Sequence, residues 1–329
     1  LYSWANFDGV HYLTIAQRGY LGTGLIQAFF PLFPLVMRFV DFFTNNLLLA
    51  GLFISNLSFY LLLLIFKKLL ALDGFKPNLT ILLLLLFPTS FFFGALYGES
   101  LFLLLALLSF LLARKKRWIL AGLLAGLASA TRIVGIFLLP ALLWEYYLLV
   151  LKGKRLSFKR LLPAILLSML TALGLLAYMF YLNQTFADPL YFFHLQSDFG
   201  AGRQESLILY PQVVWRAVKI LLTARPFDFK YLVYVQEFLT GVGGVLLLLW
   251  GYRKVRLSYL LFALPALLLS TLTGSFSSLP RYILVCFPLY MIGSQLLVKK
   301  KIFLWSWLII SGLLLLLNTA LFLQGYWVA

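Results

Sequence analysis

An acid and a histidine, Asp8 and His11, lie in the aromatic stretch Trp4-Ala5-Asn6-Phe7-Asp8-Gly9-Val10-His11-Tyr12, at the head of a chain that is 63% apolar with mean hydropathy +0.98. A carboxylate beside a membrane is costly unless it is used, so Asp8 is a functional candidate. The alternative is an exposed cap for a helix starting at Gly9. Glu99, in Tyr97-Gly98-Glu99, is a second such acid, able to orient a ligand, to act with Asp8, or to cap a helix through the dipole. Arg132 and Arg281 stand at the ends of apolar runs and offer planar forks for a phosphate, against the alternative of cations snorkelling to the interface. His11 and His194 are the two histidines; either can assist proton transfer or donate to an anion, and either can be a hydrogen-bonded part of an aromatic loop. Two histidines and one cysteine, Cys286, do not make a zinc cluster, and no closely spaced acid pair or glycine-rich phosphate loop is present, so no metal and no cofactor is expected. Gly241-Val242-Gly243-Gly244 opens an apolar helix and reads as close packing between spans.

The elements that must position these residues are membrane helices. With 329 residues and repeated runs of Leu, Phe and Ile, the chain reads as an all-α polytopic membrane protein, each span needing about 20 apolar residues. Apolar windows fall at 47–66, 79–96, 99–113, 118–131, 133–151, 161–183, 232–251, 257–273, 281–298 and 302–324, ten in all, with 99–113 and 118–131 short for a bilayer. The net charge of +17 sits in short clusters between these windows and is a topology signal, with no nucleic-acid partner implied. Lys67, Lys68 and Lys76, then 114–117, then Lys152 to Arg160, then Arg253, Lys254 and Arg256, then 299–301 hold 18 of the 27 basic residues on one side, which is read as cytoplasmic. Eight of the ten acids (Asp8, Asp41, Glu99, Asp188, Asp198, Glu205, Asp228 and Glu237) fall on or near the other side, which is expected to carry the chemistry. Residues 1–46 read as an external loop with one or two interfacial helices, and 47–329 as the transmembrane domain with an ordered external loop at 184–231. The chain begins at Leu1 without a basic leader, from which one further preceding helix is expected. Glu145, inside a window, has no partner that the sequence names.

The segment Phe7-Asp8-Gly9-Val10-His11-Tyr12 with Ile15-Ala16-Gln17-Arg18-Gly19-Tyr20 and Ala28-Phe29-Phe30-Pro31-Leu32-Phe33-Pro34 resembles the opening of the GPI mannosyltransferase II (PIG-V-like) family of GT-C integral-membrane glycosyltransferases. Tyr97-Gly98-Glu99-Ser100-Leu101-Phe102, Ala130-Thr131-Arg132-Ile133-Val134-Gly135 and Pro280-Arg281-Tyr282 with Phe287-Pro288 resemble later motifs of that family, in order. Asn6-Phe7 precedes the acid where the family more often has Arg-Trp or Trp, and Thr131-Arg132-Ile133 departs from the eukaryotic Arg-Ser-Asn, which points to a prokaryotic-type relative with another acceptor.

The resemblance implies a GT-C type helical bundle that moves a sugar, most often mannose, from a polyprenyl-phosphate donor such as dolichol phosphate mannose to a hydroxyl of a glycan, lipid or protein acceptor, with inversion. The implied membrane is the plasma membrane of a prokaryote or the endoplasmic reticulum of a eukaryote, with the site on the non-cytoplasmic side. Such a reaction asks for a base opposite the leaving group, here Asp8 with Glu99 beside it, and for cations that meet the departing phosphate, here Arg281 and Arg132, with His11 and His194 as possible donors. Arg203 and Arg225 are weaker candidates. A transporter or flippase of lipid-linked sugars is the alternative; it would place charges near the bilayer midplane, often in inverted repeats, and no such repeat is found.

Overall fold

The computed structural model describes residues 1–21, 25–200, 202–204, 206–226 and 228–328. Glu205, one of the eight acids grouped above, lies outside the described residues. Among the described residues every regular element is a helix, as backbone in contact with hydrocarbon requires outside a closed barrel.

Helices α1 (Asp8–Arg18) and α2 (Leu32–Thr44) come first. α2 buries Phe33 and Met37 and leaves Leu35, Phe39, Phe42 and Phe43 exposed, an apolar outer face suited to lying along a membrane interface. Asn45 adopts a left-handed φ of 47°, and the Asn46 side chain accepts from the Leu49 N–H at 3.1 Å, so two residues turn the chain from α2 into α3 (Leu47–Leu72).

Five stretches are long and apolar enough to cross a membrane: α3; Ile133–Leu151, which contains α7 (Leu138–Tyr146); α8 (Phe158–Phe186); α11 (Phe229–Trp250); and α15 (Lys301–Leu323). The remaining windows take other forms. The 79–96 window divides into α4 (Pro77–Leu85) and a 3-10 turn at Ser90–Phe93, with Pro88 between them. The windows 99–113, 118–131 and 257–273 become the shorter α5 (Glu99–Arg114), α6 (Trp118–Thr131) and α12 (Leu257–Leu269). The 281–298 window divides into α13 (Leu279–Tyr282), a turn at Ile283–Val285 and α14 (Pro288–Leu297). Proline removes a backbone donor, and a broken helix survives at membrane depth only where protein supplies the missing partners. It does so here: Thr89 Oγ1 donates to the Pro280 carbonyl at 2.6 Å and Asn318 Nδ2 to the Pro88 carbonyl at 3.1 Å, so the two broken segments are tied together inside the core.

α6 and α8 cross closely through small residues. A Cβ at Gly126 would strike the Leu170 carbonyl, and one at Gly174 the Gly126 carbonyl, while Ser129 Oγ donates to the Thr171 carbonyl at 3.0 Å and accepts from the Leu175 N–H at 3.2 Å.

α5 and α6 form a hairpin joined by Lys115–Arg117, which puts Glu99 and Arg132 at one end and the basic connector at the other, about 24 Å away for 16 residues of helix. At the basic end Asp73 pairs with Arg114 and accepts from Tyr259. Glu145 is fully buried, takes both arms of Arg256 at 2.7 and 2.8 Å, and accepts from Ser258 Oγ. That bidentate pair gives this acid the partner its place in the sequence does not name.

Candidate active site

At the opposite end of the hairpin, four stretches far apart in sequence meet around a cavity of about 160 Å³ lined by Asp8, Glu99, Arg132 and Arg281, with Tyr12, Arg203 and Tyr282. Asp8 is the first residue of α1. It is not a helix cap: the capping position is Phe7, which makes no side-chain cap bond, and the Asp8 carboxylate instead pairs with Arg281. Phe7 holds a φ of 57°, a conformation that costs a bulky residue about 1–3 kcal/mol and persists only where neighbours enforce it. The neighbours are on either side: Leu96 N–H donates to the Trp4 carbonyl at 3.0 Å, Tyr97 OH to the Asn6 carbonyl at 2.8 Å, and Asn6 Nδ2 to the Phe322 carbonyl at 2.7 Å. This strapping aims Asp8 at the cavity.

Glu99 opens α5, where the helix dipole favours an acid, and pairs with Arg132 at the end of α6. Arg281 is 3% exposed and lies among the rings of Phe92, Tyr97 and Tyr282, its guanidinium carbon 5.5, 5.4 and 5.0 Å from their centroids. Its Nε is 3.7 Å from Glu99, so Asp8, Arg281, Glu99 and Arg132 form a row of alternating charge. Arg281 Nη2 also donates to Tyr282 OH at 3.3 Å, and Arg132 sits 5.2 Å over the Tyr282 ring. Two atoms of this row, Glu99 Oε2 and Arg281 Nε, are buried without a hydrogen-bond partner.

The histidines stand outside the lining. His11 stacks on Phe29, a lining residue, with centroids 4.9 Å apart; burial lowers its pKa, against an opposing pull from the Asp8 charge. His194 ends the short helix α9 (Tyr191–His194) and places Nδ1 2.7 Å from Asp188 Oδ2, with half of its side chain exposed. Partial burial raises the Asp188 pKa, but the His194 contact and the Leu190 N–H outweigh it and the carboxyl titrates below its usual value. Arg225 is exposed.

Arg203 gains importance instead. Its guanidinium donates to Gln196 Oε1 at 3.2 Å and Ser278 Oγ at 3.4 Å and lies over the Phe199 ring at 5.6 Å. Among the described residues it has no carboxylate within ion-pair distance. The lining thus holds three arginines against two carboxylates, and Arg203 is the cation left unmatched. It is held over the cavity because its loop docks on the chain after α12, with Gln204 N–H donating to the Thr273 carbonyl and Ile208 N–H to the Leu272 carbonyl, both at 2.8 Å. Among the described residues no group of three or more His, Cys, Asp or Glu could hold a metal ion.

Among the described residues the fold and site define an all-helical protein with five helices of membrane-crossing length and an ionic cavity opposite its basic loops. Compared with known proteins, the chain matches no family model, no curated protein and no solved structure.

Proposed function

We propose that the protein is an integral-membrane glycosyltransferase of GT-C type that moves a sugar, mannose in the first instance, from a polyprenyl-phosphate donor to an acceptor hydroxyl on the non-cytoplasmic face. The observation that supports this reading is the convergence of Asp8, Glu99, Arg132 and Arg281 on one cavity, opposite the loops rich in lysine and arginine. In the reaction the acceptor oxygen attacks the anomeric carbon and its proton passes to Asp8. The bond from that carbon to the phosphate oxygen breaks, its electron pair leaves with the phosphate, and the configuration inverts.

The ionic row divides the labour. Arg281 holds the Asp8 carboxylate in place. Arg203, in no ion pair among the described residues and beside Tyr282, is the cation that meets the charge developing on the departing phosphate, with Arg132 behind it. Glu99 orients Arg132 and supports Arg281. The excess of one positive charge in the lining suits an anionic donor.

The test is transfer by the purified protein from defined polyprenyl-phosphate sugars into membrane extracts. We expect a labelled glycosylated product with at least one such donor. Absence of product with all of them, from protein shown to be folded, would contradict the reading.

A further inference from the structure

A second, larger cavity of about 830 Å³ lies beside the first, between α10 (Tyr210–Thr223) and α11. Its lining includes three cations, Arg216, Lys219 and Lys230, and among the described residues none of them is within ion-pair distance of a carboxylate. Among the described residues Arg216 is tied to neutral oxygens, the Gly274 carbonyl at 3.5 Å and Gln204 Oε1 at 3.3 Å. The one acid of the lining, Glu237, is turned inward and accepts from the Ser278 N–H at 3.1 Å. Cations gathered in a concave site and in no ion pair form a binding surface for an anion.

Neighbouring residues of the chain line the two cavities. Gly202 and Gln204 line the second cavity and Arg203 the first; Phe7 lines the second and Asp8 the first. Trp327, also in the second cavity, meets Phe7 edge to face at 5.0 Å and lies 6.0 Å from the Arg281 guanidinium. Trp327 and Tyr326 offer flat rings of the kind that pack against the apolar face of a sugar or polyol, while Gln204, Thr223 and Ser277 offer hydrogen bonds for hydroxyls. Away from the cavity α10 exposes Trp215 and Leu222, so this helix can lie in the headgroup layer of a bilayer with its cations over the cavity.

We propose that this second cavity holds the acceptor, and that the acceptor is an anionic polyol, its phosphoryl group on Arg216, Lys219 and Lys230 and its hydroxylated part on Trp327, facing the Asp8–Arg281 pair. The role as acceptor rests on the transferase reading; the anion site does not. Phosphorylated polyols occur both as lipid headgroups and as free molecules, and the chemistry of the cavity is common to both.

The test uses the full chain in phosphatidylcholine nanodiscs with a phosphatidylglycerol probe carrying a photoactivatable headgroup, the adducts being mapped by peptide mass spectrometry. Adducts are expected on Tyr210–Thr223 and Tyr326–Trp327. They should fall at least about tenfold in the double variant K219Q/K230Q, because even one charge-assisted contact is worth about that factor or more in affinity. K299Q/K300Q, at the basic end, should leave them unchanged. Competition by free glycerol phosphate would identify the polyol phosphate alone as sufficient, and probe capture without such competition would identify the lipid headgroup; both uphold the site. Unchanged adducts in K219Q/K230Q, equal loss in both variants, or adducts confined to the basic end would overturn it. Since the readout needs no turnover, failure of the wild type to transfer sugar would remove the acceptor role and leave the anion site, whereas failure of the lysine dependence would remove the site and leave the transferase reading.

Discussion

At the scale of single residues, the arrangement depends on which charges are already matched. Asp8 holds Arg281 and Glu99 holds Arg132, whereas Arg203 is in no ion pair among the described residues and bonds to neutral oxygens. Arg203→Ala is therefore expected to raise the KM for a polyprenyl-phosphate donor at least about tenfold, with Lys restoring part of it because the charge returns without the fork. Steady-state kinetics with varied donor check this, and an unchanged donor dependence would move the phosphate to Arg132 or Arg281. His194, exposed and paired with Asp188, lies outside the lining; His194→Ala should leave the rate within about twofold, as for surface changes generally. Acids are so scarce in this chain that Asp8 and Glu99 stand out in the sequence alone, and Arg132 and Arg281 do so by punctuating apolar runs. Arg203 does not, because it sits in a polar loop where a cation is the common case. The pairing of Asp8 with Arg281, 273 positions apart, has no local signal at all.

At the scale of elements, small residues set how closely helices approach, and the glycines divide by what surrounds them. A Cβ at Gly174 would meet Ser129 Oγ at 2.6 Å and the Ala130 nitrogen at 2.7 Å, whereas one at Gly243 would meet nothing within 4 Å. Gly174→Ala should accordingly lower stability by about 1–3 kcal/mol through overpacking of α6 against α8, and Gly243→Ala should be neutral or slightly stabilising, since alanine is favoured in a helix by about 1 kcal/mol. Thermal unfolding in one detergent separates the two, and equal Tm values for both variants would contradict this packing. Packing by Gly241 and Gly244 is legible from their spacing: added Cβ atoms would meet Phe276 and Ile283. The broken helices were harder to read. Apolar composition runs unbroken through 79–96 and 281–298, and Pro88 and Pro288 are the sole local sign that these windows fold as short pieces around the site.

At the scale of the molecule, the two ends differ in kind. Near the basic loops Asp73 and Glu145 are bound to Arg114 and Arg256 and clamp α3, α5, α7 and α12, while the cavity at the other end holds, among the described residues, one arginine outside any ion pair. The single native cysteine, Cys286, is buried, so a cysteine placed at Lys300 or at Gln196 can be labelled almost alone. We expect membrane-impermeant reagents to reach Lys300→Cys from the cytoplasmic side only and Gln196→Cys from the opposite side only; labelling of both from one side would overturn the topology. The central claim is that Asp8 takes the acceptor proton, and it is tested most directly by Asp8→Asn in the reconstituted transfer assay, because the amide keeps the shape of the carboxylate and loses its basicity. We expect transfer to fall about a hundredfold or more in protein that remains folded, with some loss of stability because the buried Arg281 loses its counter-charge. A fall of less than about tenfold in folded protein would mean that Asp8 merely holds Arg281 in place, and that the base lies elsewhere.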